Sequence, residues 1–260
     1  MLPPYEVTPS VHVLPAYVPV PGVGHIPINA FLVRGEQPYL VDSGMFPDAD
    51  AMVASIGALL PFEELRWIYL THTDPDHIGA LHPLLERATN AKLVTTFLAM
   101  AKLGLYRAVP PDRIHLLNPN ERLRLGDRTL SVLKPPLFDA PETTIFHDDA
   151  LGALFSSDFC GAPMPTPVRS LDEVTPDAIE GAQLAWSAVD SPWIHDVDRV
   201  EFRRSLRELA AWDPEWIFST HLPPARRKMR EFAATLERAP DGERFRGPDQ
   251  QAFLAMIAQA

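Results

Sequence analysis

Cysteine is almost absent from this chain, with one residue, Cys160, in 260. A lone thiol cannot close an internal disulfide. Without a CxxC pair, a finger-type structural zinc site is excluded too. No uninterrupted apolar run approaches the ~18 residues that a membrane-spanning helix needs, so no membrane association is expected. The opening Met1-Leu-Pro-Pro-Tyr-Glu6 lacks a basic segment followed by an apolar one. No secretory leader is therefore expected, and a cytoplasmic setting follows by default. Neither a GxxxxGK(S/T) phosphate loop nor a GxSxG nucleophile turn occurs, and Gly22-Val-Gly24 is too short to cradle a phosphate. Basic charge is scarce as well: 23 Lys and Arg stand against 34 Asp and Glu, a formal net charge of −11. Such a field repels phosphate backbones, so nucleic acid is not an expected partner. The densest basic cluster, Arg226-Arg227-Lys228 with Arg230, lies beside Glu231 and reads as the exposed face of a helix.

What is present describes a globular protein. Hydrophobic residues make up 46% and charged residues 22%, enough to bury a sizeable core as one domain over residues 1–260. The 28 prolines scatter through the chain and punctuate turns. Strand-like runs at 11–14, 30–34 and 38–42 read as an opening meander. Positions 48–60 carry apolar residues at helical spacing (Met52, Ile56, Leu59, Leu60), with Asp48 or Asp50 as N-cap. A short apolar strand at 66–71 precedes a helix over 78–89. Strand 91–96 and helix 97–108 follow. A second set of strands lies at 127–133, 143–146 and 153–157, with a hairpin turn at 147–152. The tail reads as helices at 200–211 and 224–238 around a strand at 216–220. Two β-rich halves with interspersed helices indicate an α+β architecture, sheets sandwiched between helices. No internal repeat or linker divides the chain; the proline-rich 161–167 stretch is the best hinge candidate.

One segment carries chemistry: Tyr69-Leu-Thr-His72-Thr-Asp74-Pro-Asp76-His77-Ile-Gly79. Four potential metal ligands fall within the six residues 72–77, at the exit of an apolar strand. A strand end followed by a loop can aim several side chains at one point, and imidazole with carboxylate is the usual donor set for zinc, iron or manganese. A polar turn capping the next helix would account for any one of these residues, but such turns rarely need two histidines.

The motif is similar to the HxHxDH signature of the metallo-β-lactamase superfamily, with Asp74 where the second His usually stands. An acidic residue there resembles the oxygen-binding diiron branch related to flavodiiron reductases. Three later motifs agree with this resemblance and follow in the expected order. Leu154-Phe-Ser-Ser-Asp158-Phe-Cys-Gly161 resembles the motif that supplies a carboxylate bridging two metals. Ser219-Thr-His221-Leu-Pro-Pro224 resembles the last ligand motif. Leu40-Val-Asp42-Ser-Gly44 resembles the first motif, whose Asp supports the site without binding metal. The family also has a His-x-Pro ligand ahead of the bridging Asp. Asp139 stands 19 residues before Asp158 (158 − 139 = 19), with Pro141 two positions on, and is preferred for that role. His147 and a missing ligand are the alternatives.

The resemblance thus implies a metallo-β-lactamase fold, two mixed sheets face to face between helices. It also implies two metal ions: one held by His72, Asp74 and Asp139, the other by Asp76, His77 and His221, with Asp158 between them. Asp76 and Asp158 are the expected catalytic carboxylates. A donor set this rich in oxygen favours iron, with zinc or manganese as alternatives. Two activities compete. One is binding, sensing or reducing O2 or NO, which would need a separate electron donor because 260 residues leave no room for a flavin domain after the metal domain. The other is metal-dependent hydrolysis of an ester, thioester, lactone or phosphoester. A homodimer is implied by the resemblance alone.

Among the other histidines, His25 lies in a loop that often overhangs the metals in this fold and is a candidate for substrate contact or support. His195 could reach the pocket. His12, His82 and His115 read as structural or surface residues, and Cys160 as buried packing.

Overall fold

The computed structural model describes residues 1–258. The chain opens with β1 (Tyr5–Thr8), β2 (Val11–Val20), β3 (Gly24–Val33) and β4 (Tyr39–Val41), then α1 (Ala49–Leu59), β5 (Trp67–Tyr69), α2 (Leu81–Arg87), β6 (Lys92–Thr95), α3 (Phe97–Tyr106) and β7 (Ile114–Leu116). It continues with β8 (Arg122–Leu125), β9 (Arg128–Leu133), β10 (Ile145–Asp148), β11 (Ala153–Ser157), α4 (Pro176–Asp190) and α5 (Arg199–Ala210). The last elements are β12 (Trp216–Ser219), β13 (Ala225–Arg226), α6 (Met229–Leu236) and α7 (Gln250–Ile257). One sheet runs β1 to β7 in chain order, and the other runs β13-β12-β11-β10-β9-β8.

Both sheets are mixed. The first turns from antiparallel to parallel at β4, and the second is antiparallel except for the pair β11 and β12. Alternation along the strands sorts side chains into three apolar layers. Tyr39 and Val41 face the space between the sheets while Leu40 faces out. Phe146, Phe155 and Phe218 join the inner layer, and their neighbours Ile145, Leu154 and Ile217 join the outer one. The inner layer is aromatic: Phe155 stacks on Phe146 at 4.8 Å and approaches Phe218 at 5.1 Å. Each such side chain, fully buried, contributes roughly 1.5–3 kcal/mol. On the outer faces, Met52, Ile56, Leu81 and Leu84 of α1 and α2 cover the first sheet. Ile179, Phe202, Leu206, Phe232 and Leu236 of α4, α5 and α6 cover the second. The order helix, sheet, sheet, helix is the α+β sandwich expected from the sequence.

Several boundaries differ from the sequence reading. The helix expected over 78–89 starts only at Leu81, because Gly79 first packs its backbone on residues 44–46; a Cβ there would lie 2.1 Å from the Met45 carbonyl carbon. The helix expected over 224–238 begins at Met229. Ahead of it, Ala225–Arg226 pairs with β12, and Arg227 takes a positive φ of 54°. Arg226 and Arg227 both bind Glu215, so the basic cluster is a paired turn, not a helical face. α4 and α7 were not anticipated. No helix among the described residues is long and apolar enough to cross a membrane.

The parallel strands of both sheets deliver their C-terminal ends to one edge of the sandwich, the edge at which open α/β sheets place ligands. Bonds across that edge lock the two sheets together: Thr144 N–H donates to the Thr71 carbonyl, and Asn29 Nδ2 donates to the Ser219 and Leu222 carbonyls.

Candidate metal centre

Five chain ends converge at this edge. Asp42 follows β4, residues 72–77 follow β5, Asp139 sits in the loop between β9 and β10, Asp158 follows β11, and His221 follows β12. The structure brings together all seven residues expected as ligands. His72, His77 and Asp158 form one group of mutually close donors, Asp76, His77 and His221 a second, and His72, Asp74 and Asp139 a third, with donor atoms within 4.8 Å of one another. Asp158 sits between the groups. Its Oδ1 is 3.0 Å from His77 Nε2 and 3.3 Å from His221 Nε2, while its Oδ2 is 3.4 Å from His72 Nε2. Asp76 Oδ2 lies 3.7 Å from His77 Nε2 and 3.5 Å from His221 Nε2. Donors that each sit ~2.1 Å from a common ion lie about 3.0–3.4 Å apart; the Asp158 spacings fall in that range and the Asp76 spacings lie just above it.

The other face of each imidazole explains its orientation. His221 Nδ1 donates to the Pro27 carbonyl at 2.7 Å, which leaves Nε2 as a bare lone pair in the neutral ring. His77 Nδ1 meets Asp42 Oδ2 at 2.9 Å with the same result. His72 is fixed more indirectly. Thr71 Oγ1 donates to Asp42 Oδ2 at 2.8 Å, and Ser157 Oγ donates to Thr71 Oγ1 at 3.0 Å. The Ser157 oxygen is then free to accept from His72 Nδ1 at 3.2 Å. Asp42 therefore orients both imidazoles, one directly and one through two hydroxyls. Carboxylate support behind an imidazole is the usual device for presenting it to a metal. Asp42 bonds His77 and Thr71 and joins no group of mutually close donors. Thr71 and Ser157 were missed in the sequence, although each adjoins a ligand.

The backbone bends sharply to reach these positions. Asp42 (φ 57°), Ser157 (φ 53°) and Cys160 (φ 70°) all occupy the left-handed region. Gly161 fits where nothing larger would, since a Cβ would lie 2.6 Å from Trp186 Nε1 and 2.9 Å from His221 Cβ. Cys160 is buried, as the sequence reading held, and burial pushes its thiol well above the ordinary range. Two further contacts shape the loops. Buried Glu142 accepts from Thr73 Oγ1 at 2.6 Å and pairs with Lys102. Lys134 donates to the Pro141 and Thr143 carbonyls at 2.8 and 3.0 Å while its ammonium sits 3.6 Å over the Phe138 ring.

Electrostatics follow from burying so many carboxylates. Burial alone would raise Asp158, but His72, His221 and His77 outweigh it and hold its carboxyl well below the usual range. Burial would likewise lower the histidines. Asp158, with Asp42 and Asp76, instead raises His77 well above its ordinary value, and Asp158 with Asp76 lifts His221 to about 9. Asp74 is pushed up to about 6 by burial and by Asp139, against the pull of His72. The pocket thus demands positive charge at its centre, from protons or from a cation. Buried His72 Nε2, His77 Nε2 and Asp158 Oδ1 lack a hydrogen-bond partner. Orphaned donors converging on one point fit metal ions.

Not every candidate arrives here. His25 Nδ1 bonds the Pro165 carbonyl, outside the donor groups. His147 packs its ring on Trp212 at 5.1 Å and joins none of the donor groups, whereas Asp139 lies beside His72 and Asp74. His195 Nε2 is buried without a partner and joins no donor group. Two unexpected residues do arrive, both from α4. Trp186 packs on the His221 ring at 4.6 Å and donates to the Asp158 carbonyl at 3.2 Å. Asp190, one turn on, is close to Asp139 and Asp158, and burial with those two neighbours raises its carboxyl to about 7.

The family model described as "ODP family beta lactamase" matches residues 26–182, which hold six of the seven donors. This chain belongs to that family. The ODP-family assignment agrees with the solved folds that resemble it. The flavodiiron protein from Giardia intestinalis superposes with a TM-score of 0.78 at 22% identity, over 93% of this chain and 60% of that one. Rubredoxin oxygen:oxidoreductase from the anaerobe Desulfovibrio gigas gives 0.76 at 20% identity, over 92% and 61%. Among curated relatives, the nitric oxide reductase of Moorella thermoacetica is 23% identical over 146 residues, 56% of this ODP-family chain and 37% of the relative. The chain spans less than half the length of the curated relatives it matches.

Proposed function

We propose that this ODP-family chain holds two metal ions, iron by preference with zinc or manganese as alternatives, and binds, senses or reduces O2 or NO. The observation that carries this reading is the convergence of three oriented imidazoles and three carboxylates around a fourth, the buried Asp158. In this reading His77, His221 and Asp76 hold one ion, and His72, Asp74 and Asp139 hold the other. Asp158 lies between them, and Asp76 and Asp158 border the reacting face. When bound, a pair of iron ions would supply redox chemistry and open positions for a diatomic ligand. The residues of the chain set the conditions. Asp42 and the Pro27 carbonyl keep the imidazole lone pairs inward, and the inter-sheet bonds hold the two ligand loops at fixed separation. Trp186 and Gly161 close the wall beside His221 and exclude water there.

Four carboxylates offset much of the charge of two divalent ions and temper their Lewis acidity. That favours redox over hydrolysis, which leans on an acidic metal-bound water. The names of similar proteins support the same direction: a flavodiiron protein, a rubredoxin oxygen:oxidoreductase and a nitric oxide reductase. Electrons would come from a separate donor, and a cytoplasmic homodimer belongs to the same reading.

Elemental analysis followed by anaerobic reconstitution with ferrous iron tests the proposal. Two irons per chain are expected, with a change in visible absorption and, given a reductant, uptake of O2 or NO. Two zincs with turnover of generic esters would point to the hydrolase instead, and metal far below two per chain would sink the dinuclear reading.

A further inference from the structure

Asp190 is the last residue of α4, a 15-residue helix that packs on the second sheet. Its position is unfavourable for an anion on three counts. Carbonyl groups at a helix C-terminus carry partial negative charge and repel a carboxylate, and no basic residue occupies the last turn of α4 to offset them. The side chain is largely buried, so water does little to solvate it. Two further carboxylates, Asp139 and Asp158, present oxygens within 4.8 Å of its own. Its hydrogen bond to the protein is a single one, from Ser191 Oγ at 3.0 Å.

α4 is nevertheless built to put Asp190 there. Gln183 donates to the Cys160 carbonyl at 3.1 Å, and Trp186 donates to the Asp158 carbonyl at 3.2 Å. Residues 183, 186 and 190 share one helical face, so two of them clamp the turn bearing Asp158 and the third follows into the cluster. The partnerless Nε2 of fully buried His72 lies 3.4 Å from Asp158 Oδ2 and 3.9 Å from Asp139 Oδ1, the two carboxylates that neighbour Asp190. A cation there would reverse each of the three penalties on Asp190.

We propose that Asp190 is an eighth donor of the centre, a carboxylate ligand to the ion held by His72, Asp74 and Asp139. That ion would then be bound by one imidazole and oxygen donors only. The half-site becomes one for a hard cation, ferrous iron or manganese, and a poor one for zinc.

The inference rests on the dinuclear reading above, and the test separates the two. Wild type, D190N and D190E are stripped of metal and titrated calorimetrically with Mn(II) and, anaerobically, with Fe(II). Thermal unfolding of metal-free and loaded forms is read in parallel. Wild type should take up two equivalents. D190N should bind one of them ~10–100-fold more weakly, while D190E, which keeps the charge, recovers part of the loss. Metal-free D190N should melt a few degrees above metal-free wild type, because a repelled charge has gone. A purely structural Asp190 would give the opposite sign. If D190N binds both equivalents like wild type, or its metal-free form melts lower, the Asp190 assignment is overturned and the dinuclear reading stands. If wild type itself binds no metal, both fall.

Discussion

On one side of Asp158, His77 and His221 are fully buried, and each has its Nδ1 committed to a fixed acceptor, Asp42 or the Pro27 carbonyl. On the other side, Asp74 and Asp139 are carboxylates near the surface, and Asp139 retains 25% of its side-chain exposure. Asp139 also accepts from its own loop, the Ala140 N–H at 2.6 Å. The imidazoles are preorganised by the folded chain, whereas the carboxylates at the rim, Asp76 at 27% exposure included, can settle their oxygens around a cation. Under the proposed assignment one half has two preoriented imidazoles and the other has one, so unequal affinities are expected, with the histidine-rich half filling first.

The largest expected effect comes from the residue common to both halves. Asp158→Asn should strip both ions, lowering affinity at each position by more than about 100-fold, since a neutral amide replaces the charge that neighbours three imidazoles. Metal content after desalting reads this directly; retention of one tightly held ion would mean that the halves are independent. Asp42→Asn is next. It removes the charge and one of the two acceptor oxygens behind His77 and Thr71 and should weaken the histidine half by ~10–100-fold, with a smaller effect on the other half through Thr71. Chelator competition reports both constants, and the reverse order of effects would contradict the contrast drawn here.

The smallest effect is in the pH dependence of the metal-free protein. His221 lies at about 9 in the fold against an ordinary 6.5, so its stabilising protonation is complete below 6.5 and lost as pH rises through about 9. Asp190 lies at about 7 against 3.8, and the cost of ionising it grows as pH rises across that window. Both signs agree. The melting temperature of the metal-free protein should fall by a few degrees between pH 6 and about 9. Metal uptake displaces protons and strengthens with pH, so the stabilisation brought by metal should widen over the same range. A melting temperature of the metal-free form that rises from pH 6 to about 9 would refute the charge balance described for the pocket.

The sequence was most informative where the fold is local. Residues 72–77 follow one strand without interruption, and Asp42, Asp158 and His221 each sit just past a strand whose apolar run is plain. The sandwich was legible for the same reason, because strands buried on both faces read as continuous Val, Leu, Ile and Phe. α4 was not. Its inward face carries Ile179, Gln183, Ser187 and Asp190, polar because it packs on a polar turn, so the apolar period that marks a helix is largely missing. α7 buries no residue, so no contact with the core singles it out either. A carboxylate closing a helical stretch, against the dipole preference, was the clue to Asp190. The first turn after β12 escaped for another reason: β13 is two residues long, too short for an alternating pattern, and exists by pairing back on β12.

The hydrogen-bond path from His72 through Ser157 and Thr71 to Asp42 links two imidazoles to one carboxylate. It leaves a loop of the first sheet, crosses to the second at Ser157, and returns. A shift of one sheet against the other would therefore break the path at Ser157 and loosen His72, while His77 kept its direct bond to Asp42. The seam between the sheets is thus a polar hinge line as well as a packing surface, and the aim of one imidazole depends on its register.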